Sequence, residues 1–135
     1  MGLENRCIGK PIVRDKLGAP AGEIQTFLEV PLKLASGRIV RPDGAIVVSQ
    51  GRRTWTALIE VKTGRNELEA EQIEDYIGVA REFGFDAVVT VSNQLSCAPE
   101  DHPVQIDRCL TRRVQLYHLS WVAIVMEAVT QHEHR

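Results

Sequence analysis

Pro42-Asp43-Gly44-Ala45-Ile46-Val47-Val48-Ser49 and, after Gln50-Gly51-Arg52-Arg53, Thr54-Trp55-Thr56-Ala57-Leu58-Ile59-Glu60-Val61-Lys62 form the stretch on which the fold turns. Ala45 to Ser49 is rich in Ile and Val and reads as a strand, Gln50 to Arg53 as a hairpin turn, and Thr54 to Lys62 as the returning strand. Period-two alternation puts Ala57, Ile59 and Val61 on one face and Leu58, Glu60 and Lys62 on the other. Arg41-Pro42-Asp43-Gly44 breaks the chain just before the first of these strands, and Arg38 to Val40 reads as extended.

Downstream, Asn66 followed by Glu69 has the spacing of a helix cap with a capping-box partner. Leu68, Ile73, Tyr76, Ile77, Ala80 and Phe83 then form one stripe until Gly84 ends the helix. Phe85 to Ser92 is a nearly continuous apolar run, as in a strand covered on both faces. A helix between two apolar strands implies a crossover connection in a mixed sheet. Ser96 to Pro103 reads as loop, Arg113 to Leu119 as a last strand, and Ser120 as the cap of a closing helix from Trp121 to about Val129. Upstream, Pro20 near a helix start with Ile24, Phe27 and Leu28 at helical spacing predicts a short first helix between Gly18 and Leu28. The expected architecture is an α/β sandwich on one central sheet, a single domain over residues 1–135.

Composition agrees with this. A chain of 135 residues that is 44% hydrophobic and 25% charged is a compact globular domain and not a disordered tail. A formal charge of -2 gives no overall attraction to a polyanion, so contact with nucleic acid needs a local basic patch. Cys7, Cys97 and Cys109 are odd in number and widely spaced, which disfavours a disulfide framework and a zinc knuckle. Val122 to Met126, the longest apolar stretch, is far too short to span a bilayer. A cytoplasmic, reduced protein without a membrane segment is expected.

Residues two apart on a strand share a face, so Glu60 and Lys62 point the same way, and hairpin pairing brings Asp43 alongside. Two carboxylates and an ammonium converge in an otherwise apolar strand, where unpaired charge costs several kcal/mol. Paired carboxylates are what Mg2+ or Mn2+ takes from a protein, water, backbone carbonyl and substrate phosphate supplying the rest. A lysine beside them can orient water or offset charge on a phosphate. The plainer alternative is a Glu60–Lys62 salt bridge at a strand end, with Asp43 a turn former. Gln72 lies on the stripe of the central helix, where a buried amide needs partners.

With Pro42-Asp43 and Glu60-Val61-Lys62 in place, the sequence resembles the PD-(D/E)XK nuclease superfamily over about Glu23 to Asn93. Gln72-Ile73-Glu74-Asp75-Tyr76 is similar to the Gln-x-x-x-Tyr pattern of several of its branches. The resemblance implies a restriction-endonuclease-like α/β/α sandwich with an αβββαβ core and Mg2+- or Mn2+-dependent hydrolysis of DNA, less so of RNA. By the same resemblance, Asp43, Glu60 and the Val61 carbonyl hold the metal, Lys62 assists water, and Gln72 lies beside the metal. Glu23 is then the acidic residue of the first helix, preferred to Glu29. Arg38, Arg41, Arg52, Arg53 and Arg65 are the expected phosphate contacts around the site, and a symmetric homodimer is expected if both strands of a duplex are cut. A catalytically silent module that keeps the fold for binding is the alternative. His132-Glu133-His134 is assigned no function, and His118 with Trp121 reads as packing.

Overall fold

The computed structural model describes residues 12–133, the side chains of 131–133 excepted, so Cys7 and the side chains of His132 to His134 lie outside the described residues. A single π-helical turn, Ile12–Lys16, precedes β1 (Glu23–Leu28), β2 (Leu32–Lys33), β3 (Ile39–Val40), β4 (Gly44–Gln50) and β5 (Arg53–Val61). Then come α1 (Ala70–Phe83), β6 (Ala87–Ser92), β7 (Gln115–Ser120) and α2 (Trp121–Glu133). The protein is α/β, with a mixed five-stranded sheet in the order β1-β4-β5-β6-β7 and a small β2–β3 hairpin beside it. β1, β4 and β5 run as an antiparallel meander, while β6 and β7 are parallel to β5. α1 makes the crossover from β5 to β6.

The two faces of the sheet carry separate cores. Val48, Ala57, Val89, Val91 and Leu119 face the π-helical turn residues Ile12 and Val13, with Trp121 and Ile124 of α2 packed against them. Leu58, Ala45 and Val88 face Ile73, Tyr76, Ile77 and Ala80 of α1. The alternation along β5 falls as expected. Leu58 is fully buried at the centre of the second core, and its truncation to Ala is expected to cost about 2–5 kcal/mol.

The first helix is the main correction. Glu23-Ile24-Gln25-Thr26-Phe27-Leu28 is an edge strand paired with β4, Glu23 opposite Ser49 and Leu28 opposite Gly44. Five of its six residues are exposed, so burial imposes no alternation and the Ile24, Phe27, Leu28 spacing mimics a helix. Gly22 is needed for this pairing, because a Cβ there would collide with the Ser49 carbonyl oxygen. The helical segment before β1 is instead the turn at Ile12–Lys16. Of the Arg38 to Val40 stretch, Ile39 and Val40 are extended as expected, but in the side hairpin and not in the main sheet.

Gly84 ends α1 in the left-handed conformation as expected, its N–H reaching Arg81 O at 3.3 Å. The start differs. Glu69 is the N-cap residue and makes no side-chain cap, while Leu68 N–H donates to Gln94 Oε1 at 3.1 Å. Ser120 Oγ accepts from Ala123 N–H at 3.1 Å, the expected cap of α2. No helix among the described residues is long and apolar enough to cross a membrane.

Candidate active site

Register places the chemistry. Gly44 pairs with Ile59, so Asp43 falls opposite Glu60 on the face that carries α1. Glu60 in turn pairs with Thr90, and Thr90 with His118. Asp43, Glu60, Thr90 and His118 thus form one polar row across four strands, one step beyond the apolar row Ala45, Leu58, Val88 and Leu116. The row lies at the carboxyl ends of the parallel strands β5, β6 and β7, where open α/β sheets leave room for ligands.

Asp43 is exposed, and its Oδ2 accepts from Val61 N–H at 2.7 Å. Its other oxygen has no protein partner among the described residues. Glu60 is only 4% exposed, and both of its oxygens are engaged. Oε1 lies 3.2 Å from Lys62 Nζ, and Oε2 accepts from the Tyr76 hydroxyl at 2.6 Å. Burial raises the Glu60 carboxyl above its ordinary 4.5 and Asp43 adds to this, while the bonds from Tyr76 and Lys62 work against it. Burial, with the bond to Glu60, pushes the Tyr76 phenol up.

Tyr76 has one proton, and the short contact assigns it to Glu60. The hydroxyl oxygen then accepts from Gln72 Nε2 at 3.4 Å. Gln72 is half-buried, so the amide expected on a buried stripe instead lines an open pocket of ≈ 410 Å3 with Arg38, Arg41, Lys62 and Asp75. Lys62 is held by its backbone as well as its side chain. Its N–H donates to Val91 O at 2.8 Å, and its carbonyl accepts from Trp121 Nε1 at 2.9 Å. Trp121 therefore does more than pack: it fixes the end of β5 that carries Lys62.

Glu23 is not brought to this group. It lies at the other end of β1, opposite Ser49, and is exposed. Glu29 is the glutamate beside the site, its N–H donating to Asp43 O at 3.0 Å with φ at 50°, a left-handed conformation uncommon outside glycine. Arg52 and Arg53 also prove distant. Arg52 lies in the β4–β5 turn and Arg53 begins β5, at the end of the hairpin opposite Asp43, whereas Arg38 and Arg41 line the pocket and Arg65 follows Lys62 in the next loop.

Sequence reasoning did not give Tyr76 or Thr90 a role. Tyr76 closes the Gln-x-x-x-Tyr pattern and was legible there, whereas Thr90 sits in an apolar strand with no signal of its own. Around Thr90 the donors are fixed by their partners. Val104 N–H can only donate, so His102 Nδ1 accepts at 3.0 Å and its Nε2–H donates to Thr90 Oγ1 at 2.7 Å. The Gln94 carbonyl can only accept, so His118 Nε2 donates to it at 2.8 Å and Nδ1 accepts from Thr90 at 2.8 Å. Both imidazoles are neutral in this chain of bonds. Burial lowers His102 to about 4, with His118 adding to the effect, and burial lowers His118 as well. Gln94 passes the restraint to Leu68 at the start of α1, and so toward Gln72 and Tyr76.

The donor set at Asp43, Glu60 and the Val61 carbonyl is all oxygen, which suits Mg2+ or Mn2+. Among the described residues, no group of three or more His, Cys, Asp or Glu could hold a metal ion, so two carboxylates are the most the side chains offer. Cys97 and Cys109 are free and exposed. No family model matches the chain, and no curated protein matches it in sequence.

Proposed function

We propose that this protein is a metal-dependent nuclease of the PD-(D/E)XK type, hydrolysing phosphodiester bonds of DNA in the first place and RNA in the second, with Mg2+ or Mn2+. The observation that carries the reading is Asp43 opposite Glu60 at the sheet's carboxyl end, with Lys62 Nζ 3.2 Å from Glu60 on the same face. The order of a helical turn, the meander β1-β4-β5, α1 and the parallel β6 is compatible with a restriction-endonuclease-like αβββαβ core.

Asp43, Glu60 and the Val61 carbonyl are the groups that would hold the ion, which supplies Lewis-acid neutralisation of charge on the phosphate. Each Glu60 oxygen has one present bond and a second lone pair, so the carboxylate can take the ion while keeping both partners. The Lys62 ammonium has three N–H donors, and those not on Glu60 can orient the attacking water and offset charge on a phosphoryl oxygen. Tyr76 keeps its bond and holds the other oxygen, while Gln72 steadies the Tyr76 hydroxyl. Cutting both strands of a duplex with one site per chain calls for a symmetric homodimer.

A second reading is favoured by one observation, that Glu60, itself only 4% exposed, already has a protein partner on each oxygen, Tyr76 and Lys62. On that reading the fold is a silent binding module and the charges are structural. Cleavage of DNA by the purified protein with Mg2+, and its loss in Lys62→Ala with metal binding retained, supports the nuclease. Nucleic-acid binding without cleavage under Mg2+ and Mn2+ supports the module.

A further inference from the structure

The pocket beside Lys62 has a cation that the proposed chemistry does not use. Arg38, just before β3, donates from Nη1 and Nη2 to the two carboxylate oxygens of Asp75, at 3.1 and 2.7 Å. Asp75 stands one residue before Tyr76 and three after Gln72, so α1 turns the same face to the pocket and to Arg38. Arg41 and Lys62 line the same pocket. Among the described residues, the Arg41 guanidinium has no hydrogen-bond or ion-pair partner. Two exposed glutamates at the start of α1 share the rim, so the cationic character is local to the hairpin side.

The geometry of the Arg38 pair is that of a fork on two coplanar oxygens, and a phosphodiester group presents the same pair of acceptors. The side chain of Arg38 is 57% exposed and that of Asp75 24%. The pair is bidentate and stronger than an ordinary surface pair, but its Arg38 side is open to water, where another anion can compete for the same guanidinium. The side hairpin has a second tie to α1, from Ala35 N–H to Glu82 Oε2 at 3.0 Å, and its position does not depend on the Arg38 pair.

We propose that Arg38 is a phosphate-binding residue held in reserve by Asp75, its guanidinium exchanging the Asp75 carboxylate for a backbone phosphodiester group when a nucleic-acid strand enters the pocket. This rests on the nuclease reading and adds to it a contact beside the scissile position. Asp75 pre-orients the fork, and it also competes with the ligand. The two residues therefore have opposite effects on binding. Arg41, unpaired and adjacent, supplies a second cation to the same strand.

The test is a double-mutant cycle on DNA binding, read by fluorescence anisotropy of a labelled duplex and single strand at low salt with Ca2+ in place of Mg2+. Arg38→Ala is expected to weaken binding about tenfold, the effect of one charge-assisted contact. Asp75→Asn is expected to tighten it about threefold, because Arg38 is released. The gain in Asp75→Asn should vanish when Arg38→Ala is already present. A gain of full size in that background means that Asp75 acts only by repelling the strand, and overturns the proposal. Wild-type binding that is unchanged in Arg38→Ala overturns it as well and leaves the nuclease reading standing. No binding of either DNA form by the wild type removes both.

Discussion

Acidification tests the His102–Thr90–His118 chain directly. In an unfolded chain the imidazole takes up its proton near 6.5, whereas the half-buried His102 resists it down to about 4. Between these values the unfolded chain binds more protons than the folded one, so the stability is complete above pH 6.5 and is lost as the pH falls toward 4. An interval of about 2.5 pH units is equivalent to about 3 kcal/mol. His102 is only partly buried, and screening by solvent reduces this to about 2 kcal/mol. His118, depressed by burial in the same direction, adds to the loss. The physical event is the arrival of a proton on His102 Nδ1, where it faces Val104 N–H and breaks the bond between that N–H and the ring, while Nε2–H keeps its bond to Thr90.

The assay is urea unfolding followed by the fluorescence of Trp55 and Trp121, at a series of pH values from about 7.5 to about 4, for wild type and His102→Gln. At neutral pH the variant should be less stable by about 1–2 kcal/mol, having lost the bond to Thr90. That gap should close as the pH falls, since only the wild type carries the loss linked to His102, whereas the loss from His118 is common to both. Glu60, whose carboxyl is raised in the folded state, shifts stability the opposite way but equally in both proteins. A gap that stays constant from neutral to acid pH would falsify the assigned tautomers and the depressed His102.

Two further outcomes bear on the site. Tyr76→Phe removes the 2.6 Å bond to Glu60 and should cost about 1.5–3 kcal/mol at neutral pH, shrinking once Glu60 is protonated; a pH-independent loss in chemical unfolding contradicts the pairing. Gln72→Ala should melt within about 1 kcal/mol of wild type, because its amide is half-buried and its one bond is long, yet lose most DNA cleavage; strong destabilisation with full activity per folded molecule points to a structural amide.

The parts of the fold written clearly in the sequence are those where burial enforces a period. The strands β4 and β5, the Gly84 end of α1 and the six buried residues of β6 fall within a residue or two of expectation, while α1 starts three residues after the expected Asn66 cap would place it. Asp43, Glu60 and Lys62 converge for the same reason, since the register of one hairpin fixes all three. β1 was hidden because it is an exposed edge, where Ile24, Phe27 and Leu28 carry a spacing that burial does not discipline. Taking it for a helix sent the choice of acidic residue to Glu23, whereas the strand brings Glu29 to Asp43. Arg52 and Arg53 were misplaced by nearness in sequence, because a hairpin carries its turn away from the ends of its strands. The His102–Thr90–His118 chain spans three separate segments, and only tertiary packing brings them together.

Calorimetric titration of Mn2+ into the wild type, Asp43→Asn and Glu60→Gln tests the central claim most directly. The wild type should bind one ion weakly, as expected where two carboxylates leave most positions to water and substrate. Each variant should bind at least about tenfold more weakly while melting at or above the wild-type temperature, because removing one of two facing carboxylates relieves repulsion. Equal metal affinity in all three proteins, or a large fall in melting temperature in Glu60→Gln, would contradict the metal site and leave Glu60 and Lys62 as a structural ion pair.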